Sequence, residues 1–443
     1  MIQKFKETEI GKIPEDWEVK RIGDFVDIKH GYAFKGEYFS DEPTENILLT
    51  PGNFNIGGGF KDDKLKYTNE EPSSEYVLKK NEIIVTMTDL SKEGDTLGFS
   101  AKVPASKDKK YLHNQRIGLL KFKSKEVSAD FIYWTLRTEK YHSSIVGSAT
   151  GSTVKHTSPD RIKQYGFCFP RNLSEQTIIT KILSSLDEKI ELNRRTNKKL
   201  EEMVQALFKY WFVDFEFPDK NGKPYKSSGG AMVDSELGKI PKGWEIKNID
   251  ELTSKFTTGL NPRNNFKLGN GNNFYVTIKN IGNQNIILDE RCDKVDDNAL
   301  LKINARSKLE KGDILFSGIG TIGKTFFVDE TPSNWNVSES IFTLRANTRL
   351  ISTEILYYLL LSSNFQDYAH QLASGSVQKG IRMRDLKRYR LAVPPMTVQN
   401  ETSAVFSSVL QKLIDNHNVM RSLSSIRDSL LPKLMSGKIR VSV

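Results

Sequence analysis

Residues that could do enzyme chemistry occur in three short stretches of this 443-residue chain. The first, GIGTIGKT, begins at Gly318 and ends at Thr325. It matches the pattern in which glycine amides and a lysine grip a nucleotide phosphate at a helix N-terminus. A strand-like run precedes it, but TFFVDE follows and predicts another strand where a nucleotide site needs a helix. We interpret the stretch as a tight glycine hairpin and keep a P-loop nucleotide-binding enzyme as the alternative function.

The other two stretches match catalytic patterns only in part. Residues 316–320, FSGIG, fit the S-adenosylmethionine site of a DNA methyltransferase, but no Asn or Asp stands before a Pro-Pro-aromatic run to hold a flipped base. Pro-Asp at 218–219 and Glu-x-Lys at 245–247 imitate the carboxylate and lysine set of metal-dependent nucleases. The Glu-x-Lys recurs at 18–20 without a Pro-Asp, so repetition of the sequence explains it. We therefore predict no catalytic, cofactor-binding or metal-binding residue in this chain.

Two long amphipathic segments are the elements around which the rest of the chain is organised. From Ile179 to Trp211, seam residues recur at alternating steps of four and three, which is the pattern of a coiled coil. A shift of 223 positions leads to a second segment with the same seam, and it also aligns the predicted N-caps, Ser174 and Thr397. Two seams of equal length predict two long helices that pair as an antiparallel coiled coil.

A polar residue occupies each seam near its middle. Asn193 and Asn416 align at the same shift, so an antiparallel pairing is expected to bring them face to face. A buried asparagine pair gives up some stability to fix the register of a coiled coil. We interpret Asn193 and Asn416 as the coiled-coil register residues, with two solvent-facing asparagines as the alternative.

An internal repeat extends well beyond the helices. EIGKIP, which begins at Glu9, returns as ELGKIP at Glu236, and LKKNEIIV at Leu78 returns as LEKGDILF at Leu309. TGSTVK likewise returns as SGSVQK shortly before each long helix. Landmarks in one order indicate a duplication. The loops between the landmarks differ in sequence, as readers of two different half-sites would require.

Each half of the repeat is predicted to be an α+β (mixed α/β) unit. Short β-rich runs such as NILLT and DILFSG alternate with polar loops, and helical patterns lie late in the unit, at 129–141 and 353–369. The expected architecture is therefore two tandem, pseudo-twofold-related globular domains joined by two long helices, which pair as the antiparallel coiled coil.

Composition and charge indicate the class of partner. With 37% hydrophobic and 27% charged residues the chain is globular, and no apolar run reaches the about 18 residues of a membrane span. We expect a cytoplasmic protein. The net charge of +10 fits a nucleic-acid partner. Cys168 and Cys292 lie in different repeats without a CxxC, which predicts reduced, structural thiols.

Four landmarks carry a resemblance to a known family. The doubled GKIPxxWE, KGDILFSGIGTIGK, ALFKYWFVDF and LLPKLMSGKIRV together look like the specificity (S) subunits of type I restriction-modification systems, over essentially the whole chain. The resemblance implies two target recognition domains, each docking one half of a bipartite double-stranded DNA site, with the helix pair setting the gap. It implies a non-catalytic subunit that recruits two methyltransferase (M) subunits and, optionally, restriction/motor (R) subunits. S-adenosylmethionine, ATP and Mg²⁺ are expected in those partner subunits, and the apolar helix end ALFKYWFV is a predicted partner surface.

The resemblance also divides the chain into segments. They are target recognition domain 1 at residues 1–172, conserved-region helix 1 at 173–217, a linker at 218–234, target recognition domain 2 at 235–396, and conserved-region helix 2 with the C-terminal tail at 397–443. In the first domain Asn81-Glu82 replaces Gly312-Asp313 and the glycine hairpin is lost. The resemblance therefore defines the fold of the first domain less closely than that of the second.

Basic and aromatic residues in the loops of both domains are the candidate DNA contacts. Phosphate contacts position a protein on DNA, whereas contacts to base edges in the grooves read the sequence. The densest basic run is KGIRMRDLKRYR, just before the second long helix. The candidates in the first domain are Lys29, His30, Tyr32, Lys35, Lys155, His156, Arg161 and Lys163, and those in the second are Arg263, Lys267, Lys379, Arg382, Arg384 and Arg388.

Overall fold

The computed structural model describes residues 4–282, 285–375 and 379–442, which form two compact units. Unit 1 contains Met1–Ile190 and Arg421–Val443, and unit 2 contains Glu191–Met420. The middle of the SGSVQK landmark, residues 376–378, lies outside the described residues. Each unit includes a stretch of both long helices. The boundaries predicted at 172, 217, 234 and 396 follow the order of sequence segments and stay predictions.

Unit 1 is built mainly from short strands. In chain order they are β1 (Phe5–Thr8), β2 (Gly11–Pro14), β3 (Trp17–Arg21), β4 (Val26–His30), β5 (Phe39–Ser40), β6 (Asn46–Leu49), β7 (Lys66–Thr68), β8 (Val77–Leu78), β9 (Ile83–Thr86), β10 (Thr88–Asp89), β11 (Ser100–Lys102), β12 (Lys110–His113), β13 (Ile117–Phe122), β14 (Lys155–His156) and β15 (Gly166–Pro170). The helices are α1 (Ile22–Phe25), α2 (Ala129–Thr135), α3 (Glu139–Gly147), α4 (Pro159–Gln164) and the start of α5 (Leu173–Phe208).

Unit 2 repeats this plan with longer loops. Its strands are β16 (Met232–Ser235), β17 (Gly238–Pro241), β18 (Glu245–Asn248), β19 (Thr253–Thr258), β20 (Asn273–Val276), β21 (Asp293–Val295), β22 (Ile314–Ser317), β23 (Thr325–Phe327), β24 (Trp335–Val337), β25 (Ile341–Ala346) and β26 (Arg390–Val393). Its helices are α6 (Ile249–Leu252), α7 (Asp297–Ser307), α8 (Thr353–Leu361), α9 (Ser363–Leu372), α10 (Met383–Leu386) and most of α11 (Met396–Met435).

The sheets of the two units share a common topology at their centres, although the second sheet has five strands in unit 1 and three in unit 2. Unit 1 has a four-stranded antiparallel sheet in the order β11-β9-β13-β4, and unit 2 has one in the order β19-β25-β22-β23. A second sheet in each unit contains one parallel pair, β6–β12 or β20–β24. In each unit the strand before the long helix pairs with an early strand, as β15–β3 and β26–β18. The predicted duplication and the α+β fold class are confirmed.

The two long helices pair antiparallel within each unit. In unit 1, Asp187 of α5 accepts a hydrogen bond from the Arg427 guanidinium of α11 at 2.5 Å. In unit 2, the Phe208 ring of α5 lies 6.1 Å from the Phe406 ring of α11. Residue numbers therefore increase along α5 as the numbers of the facing residues on α11 decrease. This confirms the predicted antiparallel pairing, and most of the predicted seam residues are buried or half-buried.

The predicted asparagine register pair is wrong by one helical turn. The Asn416 carboxamide donates to Asn197 Oδ1 at 2.7 Å, and Asn197 Nδ2 donates to the Leu413 carbonyl at 3.3 Å. Asn193 is also buried but does not form that pair. Repeat-equivalent residues face each other only at the centre of an antiparallel pairing, and that centre lies between Asn193 and Asn197. Asn416 therefore meets the residue four positions beyond its own equivalent.

Both predicted N-caps are misplaced. The Ser174 amide donates to Asn172 Oδ1 at 2.8 Å, so Asn172 caps α5 and Ser174 lies inside the helix. In the second helix the Gln399 amide donates to the Pro395 carbonyl at 3.1 Å, which puts Thr397 inside the first turn. An asparagine is as good a cap as serine, and a proline carbonyl can begin a helix although its nitrogen cannot donate.

Each of the shorter predicted helices is two helices. The pattern at 129–141 divides into α2 and α3, and the pattern at 353–369 divides into α8 and α9. Thr138 caps the N-terminus of α3 by accepting a hydrogen bond from the Tyr141 amide at 3.4 Å. Ser362 lies between α8 and α9. Serine and threonine side chains compete for backbone groups, so they break a helix whose apolar pattern is continuous.

The helix end ALFKYWFV buries two of its aromatic side chains, Phe208 and Phe212, in the core of unit 2. Residues Lys209–Val213 form a single π-helical turn. It directs Phe212 onto Phe406 at 5.7 Å and onto Trp244 at 6.1 Å between ring centroids. The prediction of a partner surface is therefore wrong for Phe208 and Phe212, which belong to the core, while Tyr210 is 42% exposed.

The turn that begins β9 is conserved in geometry although its sequence differs from the turn before β22. Asn81 has φ 65° and Gly312 has φ 91°, so both adopt the left-handed conformation that asparagine tolerates best after glycine. The Lys79 amide donates to the Glu82 carboxylate at 2.8 Å, and the Glu310 amide donates to the Asp313 carboxylate at 2.9 Å. The replacement of Gly-Asp by Asn-Glu therefore leaves the fold unchanged at this turn.

The C-terminal segment completes the core of unit 1. Leu431, Leu434 and Met435 are buried in the same apolar cluster as Trp17. Arg440 follows them and donates to Asp16 at 2.8 Å and to the buried Glu175 at 2.6 Å. The two ends of the sequence thus meet in one unit.

Candidate nucleic-acid interface

In each unit one glycine directly follows a strand of the four-stranded sheet, where the chain enters a loop and passes very close to another backbone segment. Gly31 follows β4, and a Cβ there would lie 2.3 Å from the carbonyl oxygens of His113 and Asn114. Gly259 follows β19, and a Cβ there would lie 1.8 Å from the Val337 carbonyl oxygen. Only glycine permits so close an approach of two backbones. This glycine, the one feature shared by the otherwise different loops, marks the same point of the frame in both units.

The loops of unit 1 that carry candidate residues leave the sheet at one end. His30 at the end of β4 lies opposite Gly118, and Gly118 lies opposite Val85 on β9. β9 leads directly into β10, where Thr88 pairs with His156 of β14. The register therefore places the loops after β4 and β9, the loop before β13, and the 150–157 loop at a common end. The structure brings Lys29, His30, Tyr32, Lys155 and His156 to that end of unit 1.

A buried aspartate that sequence reasoning missed holds the loop after β10. Asp89 accepts hydrogen bonds from the Ser91 amide at 2.6 Å and from the Thr96 amide and hydroxyl at 2.5 and 2.6 Å. Burial by itself raises the pKa of Asp89, but these hydrogen bonds outweigh it and the net pKa lies below its usual value. The carboxylate thus fixes a loop with no glycine hairpin. The Asp-x-Ser spacing of TDLSKEGDT was its only sequence signal.

The candidate cations of unit 1 differ in whether they already form ion pairs within the protein. Lys29 Nζ is 2.9 Å from Glu75 and 5.0 Å from the Tyr76 ring centroid, and the hydrogen bond to Glu75 raises the pKa of Lys29. Lys163 pairs with Asp160 at 3.0 Å. These contacts make Lys29 and Lys163 weaker candidates. Better candidates have no ion-pair partner among the described residues, and they are Lys155, His156 and Arg161.

Two further candidates lie beside the same end of unit 1. Tyr32 is 37% exposed and packs its ring against Phe34 and Tyr76 at 5.1 and 5.3 Å between centroids. Lys35 is exposed, with Glu37 3.8 Å away. Tyr32 is therefore held in place by two rings while part of its side chain stays exposed.

In unit 2 the GIGTIGKT stretch is a hairpin, as predicted. β22 pairs antiparallel with β23, and Gly320 and Gly323 take positive φ of 83° and 89° between them. Lys324 Nζ donates to the Ile281 carbonyl at 2.5 Å instead of facing an open cradle. A strand, β23, follows the glycines where a phosphate site needs a helix N-terminus.

The hairpin lies beside the second basic loop. The Gly320 amide donates to the Lys379 carbonyl at 2.9 Å, and the Ile381 amide donates to the Gly318 carbonyl at 2.8 Å. The 374–382 loop is closed by a bridge between Ser374 and Gly380, just as Thr150 bridges His156 in unit 1. The divergent central loop and the Gly-Ser landmark loop are therefore neighbours in both units.

The basic run before α11 contains two kinds of cation. Lys387 and Arg390 are committed to Asp250 at 2.8 Å and Glu236 at 2.5 Å. Arg384 is exposed and lies 3.4 Å from Asp385. The exposed cations of the run that have no ion-pair partner within the described ranges are Lys379, Arg382 and Arg388.

The loop after β19 carries the remaining candidates. Arg263 and Lys267 are exposed on it. Its base is fixed by Glu339, which accepts from Asn261 Nδ2 at 2.7 Å and from the Tyr275 hydroxyl at 2.9 Å. Burial, together with the Glu339 charge, raises the pKa of Tyr275, so its hydroxyl stays a donor. Glu339 and Tyr275 position this loop, and no spacing pattern in the sequence pointed to them.

The other chemical features are structural where the structure describes them. Glu245 forms a 2.8 Å ion pair with Lys247, so the nuclease-like Glu-x-Lys is a surface pair. Cys168 and Cys292 are buried free thiols, as predicted, and burial raises the pKa of each to about 11. Within the described ranges, no three His, Cys, Asp or Glu residues are grouped to hold a metal ion, and no helix is both long and apolar enough to span a bilayer. The fold and the loops together define a duplicated protein. Each of its two similar units carries loops with exposed basic residues.

Comparison with known proteins identifies the family. The model of the type I restriction modification DNA specificity domain matches residues 14–202 and 241–422, one match in each repeat. The chain therefore belongs to the type I restriction-modification DNA specificity family, which confirms the resemblance read from its landmarks. The specificity subunit of the type I restriction enzyme MjaIX of Methanocaldococcus jannaschii is 26% identical over 461 residues, covering 99% of this chain and 97% of the relative.

More distant relatives match over a similar span. The specificity subunit of the Escherichia coli type I restriction enzyme EcoBI is 24% identical over 452 residues, covering 96% of this chain and 87% of the relative. The crystal structure of the S subunit of a type I restriction-modification system from M. genitalium has a TM-score of 0.53 at 18% identity, covering 98% of this chain and 99% of that one. This structural likeness shows a shared fold.

Proposed function

We propose that the chain is a sequence-specific DNA-binding specificity subunit in which each unit's loops read one half of a bipartite site. The observation that carries this proposal is the repeated frame. In both units one glycine, Gly31 or Gly259, starts a divergent loop at the same end of the same sheet. A constant frame with two different loop sets is suited to two different half-sites.

The division of labour within each interface follows from the chemistry of DNA. Exposed cations without ion-pair partners, such as Arg382 and Arg388, bind phosphates and set the position. Partly exposed residues that neighbouring rings hold in place, such as Tyr32, suit base edges in the grooves. Recognition of this kind uses no bond-making chemistry, so the chain itself is non-catalytic.

The reaction belongs to partner subunits in this proposal. Relatives of this chain are named specificity subunits of type I restriction enzymes. We propose that the chain recruits two methyltransferase subunits, which use S-adenosylmethionine to modify adenine, and optionally restriction/motor subunits, which use ATP and Mg²⁺. A cytoplasmic location follows from such a role.

A methylome tests the proposal directly. The chain would be co-expressed with its neighbouring methyltransferase gene, and modified adenines would be mapped across the host genome. We expect a two-part motif with a fixed gap. One contiguous motif, or none, would contradict a bipartite reader.

The helix pair is expected to act as a ruler for the gap. Inserting one helical turn, about 6 Å, between Thr196 and Gln205 of α5 lengthens the spacer by about one or two base pairs of DNA. We expect the motif to keep both half-sites and to widen its gap, because the loops are unchanged. The same methylome measurement gives the gap length, and an unchanged gap would contradict the hypothesis that the helix pair sets it.

Lys324→Ala separates the specificity role from the P-loop alternative. The variant loses only the hydrogen bond to the Ile281 carbonyl, so we expect the methylation motif to persist and stability to fall by about 1 kcal/mol. Lys302→Ala is a matched control, because Lys302 also donates to a backbone carbonyl in unit 2, that of Asn265 at 3.2 Å. Loss of function in the first variant alone, with folding intact, would revive a nucleotide site.

A further inference from the structure

A buried group of three charges joins the two long helices in unit 1. Asp187 of α5 is hydrogen-bonded by both Arg137, from the segment after α2, and Arg427 of α11. The side chain of Arg137 is only 2% exposed, and those of Asp187 and Arg427 are 23% and 16% exposed. Burial by itself raises the pKa of Asp187, but the charges of Arg137 and Arg427 outweigh it, so the carboxyl stays ionised. We call these three residues the charged triad.

The charged triad is well satisfied and rigid. Arg137 also donates to the Gly57 carbonyl at 2.9 Å and to the Tyr133 hydroxyl at 2.7 Å. Its guanidinium carbon lies 4.3 Å from the Trp134 ring centroid. A buried ion cluster contributes little to stability when it is complete, but breaking one of its ion pairs is destabilising. Without Arg427, Asp187 keeps only Arg137, and without Asp187, Arg427 keeps only the exposed Asp428 at 2.8 Å. The cluster therefore favours the partner that completes it.

The repeat places three apolar residues at the equivalent positions of unit 2. A shift of 224 turns Arg137 into Leu361, and a shift of 223 turns Asp187 into Leu410. The same shift, taken backwards, turns Arg427 into Val204. Val204 and Leu410 are buried and Leu361 packs against the same apolar cluster. The duplicated frame thus holds a charged set in one unit and an apolar set in the other.

These two sets make the two helices unlike along their seams. On α5, Asp187 faces Arg427 and Val204 occupies the position that faces Leu410. If two copies of α5 paired in the same antiparallel register, Asp187 of each would face Val204 of the other. If two copies of α11 paired, Arg427 of each would face Leu410 of the other. Every contact that is matched in the observed pairing becomes a mismatch of charge against apolar side chain.

The asparagines do not make this distinction. In the observed pairing Asn197 faces Asn416, and the register places Asn193 opposite Met420. Across a pair of α5 helices and a pair of α11 helices together, the same numbers of Asn–Asn and Asn–Met contacts would form. The asparagines therefore set register, and selection between like and unlike helices depends on the charged and apolar sets.

We infer that the charged triad and its apolar counterpart form a pairing code that makes each half of this chain bind the other half and reject a copy of itself. The pairing code defines the chemistry of the helix that can pair with the seam of α5. It is an antiparallel helix with a cation at the position opposite Asp187 and an aliphatic residue opposite Val204. Helix α11 of the same protein meets both requirements, and α5 of a second copy meets neither.

A nicked full-length protein tests the code. A protease site inserted between Lys220 and Asn221, in an exposed turn, allows the folded chain to be cut, unfolded and refolded as a mixture of its two fragments. Native mass spectrometry then counts mixed and like pairs. We expect the ratio of mixed to like pairs to exceed its statistical value by at least about tenfold, since like pairing breaks the Asp187–Arg427 contact and sets each of its charges against an aliphatic side chain. A statistical mixture from the wild-type sequence would overturn the inference.

The matched variant installs the apolar set in unit 1. R137L/D187L/R427V gives both units the same residues, so we expect its nicked form to refold with like and mixed pairs near the statistical proportion. R427K, which keeps the cation, is expected to select as the wild type does. If the apolar variant selects mixed pairs as strongly as the wild type, the triad is not the source of selection.

Unfolding of the intact chain gives a second measurement that does not depend on refolding of fragments. R427V places valine opposite Asp187, as in a pair of α5 helices, and is expected to lower the urea midpoint of unit 1. R137L/D187L/R427V also removes the Arg137–Asp187 ion pair that faces the valine and is expected to recover most of that loss. Equal loss in both variants, or no loss in R427V, would mean that mismatch carries no penalty and the pairing code does not exist.

Discussion

R382A/R388A is expected to weaken DNA binding by about 25-fold at about 0.15 M salt, because each phosphate contact contributes about fivefold there. Arg382 follows Ile381, whose amide bonds to the hairpin, and both Arg382 and Arg388 are exposed and have no ion-pair partner in the part of the chain that the structure describes. Loss of two phosphate contacts should also reduce the slope of log affinity against log salt by about 2. The measurement is a titration of the assembled complex with its target duplex at several salt concentrations.

The same basic run supplies a control of equal charge. K387A/R390A also removes two positive charges, but Lys387 and Arg390 are committed to Asp250 and Glu236. We expect affinity and salt slope to stay near those of the wild type. Equal losses in both double variants would mean that the net charge of the run matters and that the positions of its cations do not, which would contradict the assigned interface.

Asp313→Ala is expected to lower the free energy of unfolding of unit 2 by about 3 kcal/mol, because it strands part of a buried ion pair. Asp313 is fully buried and accepts from Arg345 Nε at 2.7 Å and from its terminal nitrogen at 3.0 Å. Glu310 stays 2.6 Å from Arg345 and limits the loss to the lower end of the range for such pairs. Urea unfolding of the intact chain measures the effect.

The equivalent turn of unit 1 is the matched control for this variant. Glu82 makes the same hydrogen bond to a turn amide, but its partner Lys121 is 51% exposed. Glu82→Ala therefore loses one hydrogen bond and an exposed ion pair, about 1–2 kcal/mol together. If the two variants cost the same, burial of the Asp313 pair adds nothing and the argument fails.

Features with a period or a repeat could be predicted from the sequence. The seam from Ile179 to Trp211 defined a long helix because a step of four and three is specific to coiled coils. The glycine hairpin at Gly320 and Gly323 followed from the strand-like TFFVDE after it. Both are local patterns, and both are confirmed. The α+β class and the family followed from landmarks repeated in order.

Features that depend on packing between distant segments could not be predicted. The pairing of Asn416 with Asn197 depends on where the centre of the helix pair falls, and a difference of four residues leaves no trace in either seam alone. The commitment of Lys29 to Glu75 and of Arg390 to Glu236 depends on contacts 46 and 154 residues apart in sequence. For this reason the sequence could name basic candidates but could not separate free cations from paired ones.

The meeting of the two ends of the sequence in unit 1 has a consequence for synthesis on the ribosome. Leu431, Leu434 and Met435 fill the core around Trp17, and Arg440 pairs with Asp16 and Glu175. Domains usually fold in the order in which they emerge. Here unit 2 is complete in the nascent chain once Met420 has left the exit tunnel, while unit 1, which began first, still waits for the segment that follows Met420. A chain that stops before Leu431 therefore cannot complete the core of unit 1, although all of unit 2 is already present.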